Sequence, residues 1–108
     1  MVRLSITLTA GTPRGAESLI EGLHYQIPGT QLERGCVGCG AWTGPDATVH
    51  YFEDWATEPD IKRRVLSNRF TSLLAVVESA SEAHVQFDFV TKTRGLDYVV
   101  EMRNDLVT

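Results

Sequence analysis

Residues 48 to 65, TVHYFEDWATEPDIKRRV, contain both kinds of secondary structure from which the fold is built. The first half alternates between two faces: Val49, Tyr51, Glu53 and Trp55 on one, and His50, Phe52 and Asp54 on the other. Strict alternation is typical of a β-strand, which we expect over Thr48 to Trp55. Thr57, followed three residues later by Asp60, resembles a capping box and predicts that a helix begins directly after the strand.

The same two periods recur before this stretch. Residues Val2 to Thr9 alternate and predict a first strand. Thr12-Pro13 is typical of a helix start, and we expect that helix to end at Pro28-Gly29. The glycine-rich run Glu33 to Trp42 also alternates, so we expect a strand there, paired with the next strand through a tight turn.

After the central strand, an apolar stripe of helical spacing runs from Ile61 to Val77. Its phase shifts near Ser67-Asn68, which predicts two short helices or one bent helix. His84 to Val90 alternates as a strand, and Asp97 to Arg103 is expected to be a last, short edge strand. The order predicts an α+β fold with a ferredoxin-like split βαβ antiparallel sheet and helices on one face.

Length and composition limit the organisation and the partners. The chain has 108 residues, is 43% hydrophobic and carries a formal net charge of −4. We expect one domain over residues 1–108, with a core over 1–91 and a C-terminal extension strand over 92–108. The acidic balance argues against nucleic acid, which requires clustered cations. No apolar run is long enough for a membrane span or signal peptide, so we expect a cytoplasmic protein without membrane partners.

The strands carry aromatic residues on both faces, although helices are available for only one. His50 and Phe52, for example, oppose Tyr51 and Trp55. An uncovered apolar face requires a partner, and a second copy related by a two-fold axis is the simplest one. We therefore expect a homodimer whose sheets pack face to face.

Cys36 and Cys39 form a Cys-x-x-Cys pair inside a predicted strand. Residues three apart point to opposite faces of a regular strand, so the thiols converge only if a bulge intervenes. The pair also leaves a zinc site two ligands short, and the three histidines show no ligand spacing. We expect structural cysteines and no metal site.

The run Tyr51-Phe52-Glu53-Asp54-Trp55, a capped helix, and then Ser67 and Phe70 resemble the antibiotic biosynthesis monooxygenase (ABM) family. The step Gly35-Cys36 is similar to a Gly-Cys step common in that family. The resemblance extends from the first strand to about Val90 and implies the dimeric α/β-barrel fold.

Arg64 stands where the family usually has a helix histidine, nine residues after the tryptophan. In haem-degrading relatives a histidine of this helix ligates iron, whereas arginine stays protonated and cannot bind a metal. We therefore expect no haem and no other cofactor. Arg64 is either an anion-binding fork or a surface residue of the run Lys62-Arg63-Arg64.

The resemblance implies a cofactor-independent monooxygenase that deprotonates a small aromatic, quinol-type molecule so that its anion reacts with oxygen. Glu53 would be the base or orienting group, beside Trp55, while Arg64 would stabilise the anion. We thus expect catalytic roles for these three residues. Tyr51, Asn68 and Phe70 are the expected substrate-binding residues.

Two other interpretations remain open at this point. The chain could be a non-catalytic homodimer that binds a small molecule as a sensor or carrier, or a structural domain of the same fold. In the structural case Tyr51 and Trp55 are core aromatics, and Glu53 pairs with an arginine such as Arg3 or Arg69. A cavity beside Trp55 would separate the binding interpretations from the structural one.

Overall fold

The computed structural model describes residues 1–89, 99, 100, 103 and 104. Strands and helices alternate along this part of the chain. They are β1 (Val2–Thr9), α1 (Pro13–Gln31), β2 (Cys36–Thr43), β3 (Thr48–Trp55), α2 (Glu58–Val65), α3 (Asn68–Glu78) and β4 (Glu82–Phe89).

The four strands form one antiparallel sheet in the order β2-β3-β1-β4. Strand β1 lies between β3, where Leu4 is opposite Glu53, and β4, where Leu4 is opposite Phe87. This order and direction confirm the predicted α+β, ferredoxin-like fold.

Each of the three helices begins at a hydroxyl cap. The side-chain oxygens of Thr12, Thr57 and Ser67 accept hydrogen bonds from the backbone N–H groups of Gly15, Asp60 and Phe70. These bonds satisfy donors that have no partner inside the helix. The cap at Ser67 also confirms the predicted break, because α2 ends at Val65 and α3 starts at Asn68.

Helix α1 does not end at Pro28-Gly29, as expected, but continues through Pro28 to Gln31. A proline near a helix end removes one backbone hydrogen bond. Thr30 offsets this loss, because its buried hydroxyl donates to the Gln26 carbonyl at 2.9 Å and lies 3.4 Å from Nη2 of Arg64. Tertiary contact therefore holds the last turn in place.

Strand β2 starts at Cys36, three residues later than the expected Glu33, and contains a bulge at Val37. The pairing shifts from Cys36 opposite Trp55 to Gly38 opposite Asp54, which leaves one extra residue on β2. An extra residue reverses the alternation that follows it. Cys36 and Cys39 consequently lie on the same face of the sheet, whereas regular alternation had predicted opposite faces.

Most of the predicted C-terminal strand, Asp97 to Arg103, lies outside the described residues. The described positions Val99, Val100 and Arg103 are helical, so the strand prediction is wrong there. Two adjacent valines do not alternate, and a short apolar run is compatible with either structure.

The main core fills the space between the sheet and helices α1 and α3, and a smaller cluster of Val2, Trp55 and Ile61 joins α2 to the sheet. Strand β4 is exposed along its whole length. Its apolar residues Val85, Phe87 and Phe89 pair with buried residues of β1 and therefore face the helix side. The helix layer thus leaves the β4 end of that face open.

Candidate functional site

The carboxylate of Glu53 lies in the interior of the protein, on the face of β3 that the helices cover, with 0% of the residue exposed. Tyr51 and Trp55 flank it, because residues two apart in a strand share a face. The Tyr51 hydroxyl donates to Oε2 at 2.5 Å, and the indole Nε1 of Trp55 donates to Oε1 at 3.0 Å. Both aromatic side chains therefore orient the carboxylate.

Arg64 completes this arrangement from α2. Its Nε donates to Oε1 of Glu53 at 3.0 Å, and its Nη2 donates to Oε2 at 2.8 Å. Parallel donation from a guanidinium to both oxygens is the strongest geometry for such a pair. Each Glu53 oxygen now accepts two hydrogen bonds, which uses the full acceptor capacity of a carboxylate. We call Tyr51, Glu53, Trp55 and Arg64 the Glu53 network.

A second carboxylate approaches the same guanidinium. Oε2 of Glu33 lies 3.4 Å from Nη1 of Arg64, but neither atom has a hydrogen-bond partner. The Arg64 guanidinium also lies over the ring of Phe70, with Cζ 5.4 Å from the ring centroid. Through these contacts and the one to Thr30, Arg64 joins α1 and the loop after it, β3 and α3 to its own helix.

Burial and charge set the protonation of the network. Burial, followed by the nearby Glu53 carboxylate, raises the pKa of Tyr51 well above its usual range, so its hydroxyl stays a donor. Burial lowers the pKa of Arg64, but the hydrogen bonds and charge of Glu53 outweigh this, and the net direction is upward. The arginine therefore stays cationic.

The structure brings five of the six predicted site residues together: Tyr51, Glu53, Trp55, Arg64 and Phe70. The sixth, Asn68, is exposed at the first position of α3. The surface interpretation of Arg64 is wrong, because the residue is only 2% exposed. Its alternative role, binding an anionic group, is what the structure shows.

Glu53 does pair with an arginine, but with neither of the two named in advance. Arg3 instead pairs with Asp54, with Nε 2.7 Å from Oδ1, and Arg69 donates to the carbonyl of Gly29. Glu53 already accepts four hydrogen bonds. One of these bonds must therefore break before its carboxylate can accept a proton from a substrate. The catalytic roles of Glu53, Trp55 and Arg64 stay predictions.

A cavity lies at the open end of the helix face, between α2 and β4, and we call it the α2–β4 groove. Its volume is about 360 Å³, within the range of small-molecule sites. Apolar side chains dominate its lining, which consists of Glu58, Ile61, Lys62, Val65, Leu66, Phe87 and Phe89. Trp55, beside which the binding interpretations required a cavity, does not line the groove but is buried with Val2 and Ile61 in the smaller core cluster, so the side chains around it agree with the structural interpretation.

Sequence reasoning did not find this groove. The available signal was the alternation of Val85, Phe87 and Phe89, which marks an apolar strand face without showing which helix covers it. Among residues 1–89, 99, 100, 103 and 104, no three His, Cys, Asp or Glu side chains cluster as metal ligands. Over the same residues, no helix is long and apolar enough to cross a membrane.

Solved structures show the same architecture. A protein from Deinococcus radiodurans, named provisionally as an antibiotic biosynthesis monooxygenase, superposes with a TM-score of 0.73 at 15% identity, covering 88% of this chain and 97% of its own. This is the fold of the ABM-like family. No family model and no curated protein matches the sequence.

Two further neighbours share this ABM-like fold. An antibiotic biosynthesis monooxygenase superposes with a TM-score of 0.67 at 11% identity, covering 85% of this chain and all of its own. A conserved protein of unknown function from Bacteroides thetaiotaomicron, described as a possible oxidoreductase, has a TM-score of 0.72 at 13% identity, covering 81% and 94%. At these identities the likeness concerns the fold.

We expect the substitution of Arg64 to destabilise the protein much more than the substitution of Arg3. Arg64→Met leaves a buried carboxylate without its cation and should lower the free energy of unfolding by about 3–5 kcal/mol. Arg3→Met breaks the half-exposed pair with Asp54 and should cost about 1 kcal/mol or less. Urea denaturation of both variants measures the difference, and equal losses would contradict a structural role for Arg64.

Proposed function

We propose that this chain binds a small, flat aromatic molecule of the quinol type in the α2–β4 groove and oxygenates it without metal or flavin. The observation that carries the proposal is the groove itself. It combines an apolar lining, two phenylalanine rings and one cationic side chain in about 360 Å³. Aromatic rings favour a stacked ligand, and a few polar groups fix its orientation.

The polar groups of the groove suit an acidic phenol. Nζ of Lys62 lies 3.7 Å from Oε1 of Glu58, and both side chains are more than half exposed. A cation near a bound phenol favours the ionised form. Glu58 is then the acceptor for the phenolic proton, and Lys62 stabilises the anion that remains.

The anion supplies the electrons for the reaction with molecular oxygen. One oxygen atom forms a bond to a ring carbon, and the other leaves as water with two hydrogen atoms from the substrate. An anthrone CH₂ group, for example, becomes a C=O group. Substrate and oxygen together balance this reaction, so no external reductant is needed.

We assign the Glu53 network a positioning role in this activity. Ile61 and Val65 line the groove on the same helix as Arg64, and the two bonds from Arg64 to Glu53 hold that helix on the sheet. Within the network Tyr51 orients Glu53, and the ring of Phe70 packs against the Arg64 guanidinium. The names of three structural neighbours support the proposed reaction class: one is called an antibiotic biosynthesis monooxygenase, one is named so provisionally, and one is described as a possible oxidoreductase.

One observation favours a second candidate, ligand binding without turnover. Arg64 occupies the position of the family's helix histidine, and Glu53 has no free acceptor position. A chain with these features could retain the groove and bind the same class of molecule as a sensor or carrier. Oxygen consumption separates the two candidates.

We also propose that the protein is a homodimer joined through the open face of the sheet. Trp42 is 51% exposed there, although its ring stacks on His50 with centroids 5.4 Å apart. Phe52 lies beside it, with the Arg3 guanidinium 4.7 Å from its ring centroid. A second copy would cover this aromatic cluster, since like surfaces meet across a two-fold axis.

Anthrones and hydroquinones should bind and be consumed with uptake of one oxygen molecule per substrate. Lys62→Gln and Phe87→Ala should each reduce affinity about tenfold, which corresponds to roughly 1.4 kcal/mol. Calorimetry and an oxygen electrode measure both quantities. Arg14→Gln, which removes an exposed cation of α1, is the charge-matched control and should leave both unchanged.

The outcomes distinguish the candidates. Binding that depends on Lys62 and Phe87 without oxygen uptake would favour the sensor or carrier. A fall in oxygen uptake in the Glu53→Gln variant, with unchanged thermal stability, would indicate a catalytic role for Glu53. Uptake and affinity indifferent to both groove variants would contradict the proposed site.

Light scattering should give twice the chain mass of 12.0 kDa at tens of micromolar protein. Trp42→Ser should shift the population toward single chains, because it removes a large apolar side chain from the proposed contact. Leu32→Ser is a matched control, since Leu32 is also exposed but follows α1, away from the open face. A wild-type mass of one chain would contradict the dimer.

A further inference from the structure

The bulge at Val37 places two thiols side by side on the helix face of β2. Cys36 is opposite Trp55 and Cys39 is opposite Glu53, two residues that lie on the same face of β3. Both thiols are free and only partly buried. A regular strand would have separated them, so their proximity depends on the one extra residue.

The spacing of this pair, taken from its register with β3, lies at the upper end of the range for a disulfide. Their partners on β3 are two residues apart, a spacing of about 6.4–6.8 Å along a strand. Disulfide-bonded cysteines have Cα atoms about 4.4–6.8 Å apart.

The surrounding backbone leaves room for the small adjustment that a bond requires. Gly38 lies between the cysteines, and a Cβ there would meet no atom within 4 Å. Strand β2 is at the edge of the sheet, so within the sheet it pairs only with β3. Each thiol has only a weak bond to lose, from Cys36 to the Gly38 carbonyl at 3.7 Å and from Cys39 to the Ile27 carbonyl at 3.8 Å.

We propose that Cys36 and Cys39 form a reversible intrachain disulfide with low-molecular-weight disulfides such as oxidised glutathione. One cysteine thiolate attacks a glutathione sulfur and releases the first glutathione thiol. The second cysteine attacks the mixed disulfide at the sulfur of the first and releases the second glutathione thiol. Two protein thiols are oxidised and one glutathione disulfide is reduced, and the two thiol protons end on the released glutathiones.

Burial and the neighbouring carboxylates keep both thiols protonated at neutral pH. Burial raises the pKa of both thiols, that of Cys39 to about 12, and the Glu53 carboxylate raises both further. Glu33 adds to this effect at Cys36, whereas the Arg64 cation opposes it at Cys39. Because only thiolates attack disulfides, the bond forms slowly and responds to sustained oxidation.

Formation of the disulfide would also change the packing around Trp55. Cys36 packs against the cluster of Val2, Trp55 and Ile61, and Ile61 lines the α2–β4 groove. A disulfide next to an indole quenches its fluorescence. In a Trp42→Phe background, Trp55 is the sole tryptophan and therefore reports the state of the pair.

The experiment equilibrates the full chain in glutathione buffers of increasing oxidised fraction and measures intact mass, free thiols and Trp55 fluorescence. The wild type should lose both thiols together, with the mass of two hydrogen atoms, and regain them with dithiothreitol. Cys36→Ser and Cys39→Ser are the matched controls. Each keeps one thiol and should carry at most one glutathione. Neither variant should form the species that is lighter than the reduced chain by two hydrogen atoms.

Three results would overturn the proposal. They are glutathione adducts that persist on both cysteines of the wild type, disulfides between chains on a non-reducing gel, and thiols that stay reduced in the folded protein. For the last result, the chain unfolded in urea is the reference, because there the same two cysteines are free to close the bond. Closure only in the unfolded chain would show that the folded strand prevents it.

Discussion

The buried carboxylate of Glu53 is the constraint on which the rest of the structure depends. Removing such a charge from water costs several kcal/mol unless it is paired and fully hydrogen-bonded. Two donors come from its own strand and two from Arg64 of α2, so the sheet and that helix must meet in one register. Arg64 also contacts Thr30 and Glu33, which extends the constraint to the end of α1 and the loop after it.

This constraint separates the helix face of the sheet into two regions. Over β3 the face is filled by the Glu53 network and the core, and no acceptor of the carboxylate remains free. Over β4 the described helices α1 to α3 leave the face open, and the apolar residues Phe87 and Phe89 lie across the groove from α2. The first region has the chemistry of a structural ion pair, and the second has the shape and lining of a ligand site. Ile61 touches both and links them.

Most strands and helices could be predicted from patterns among residues that are close in the chain. Strands β1 and β3 begin and end at the predicted residues because strict alternation depends only on neighbours in the chain. The starts of the helices are likewise local, since a hydroxyl cap bonds a backbone group three residues later. The ferredoxin-like fold followed from the order of these elements.

The remaining features depend on contacts between distant residues. Pro28 stays inside α1 because Thr30 meets Arg64, which lies thirty-four residues away in the chain. The Val37 bulge, which brings the two cysteines together, is a property of pairing with β3. The run Lys62-Arg63-Arg64 does not reveal that one of its cations is buried. The groove exists because α1, α2 and α3 leave β4 exposed in the part of the chain that the structure describes, which is a property of packing.

The most direct test of the account is a two-dimensional nitrogen–proton NMR titration of the labelled protein with a hydroquinone or anthrone. We expect the amide signals of groove residues, such as Ile61, Leu66 and Phe87, to shift with ligand. The indole Nε1–H of Trp55 and the Nε–H of Arg64, which both donate to Glu53, should keep their positions. Large shifts of these two signals with unmoved groove amides would contradict the account and place the ligand at the carboxylate.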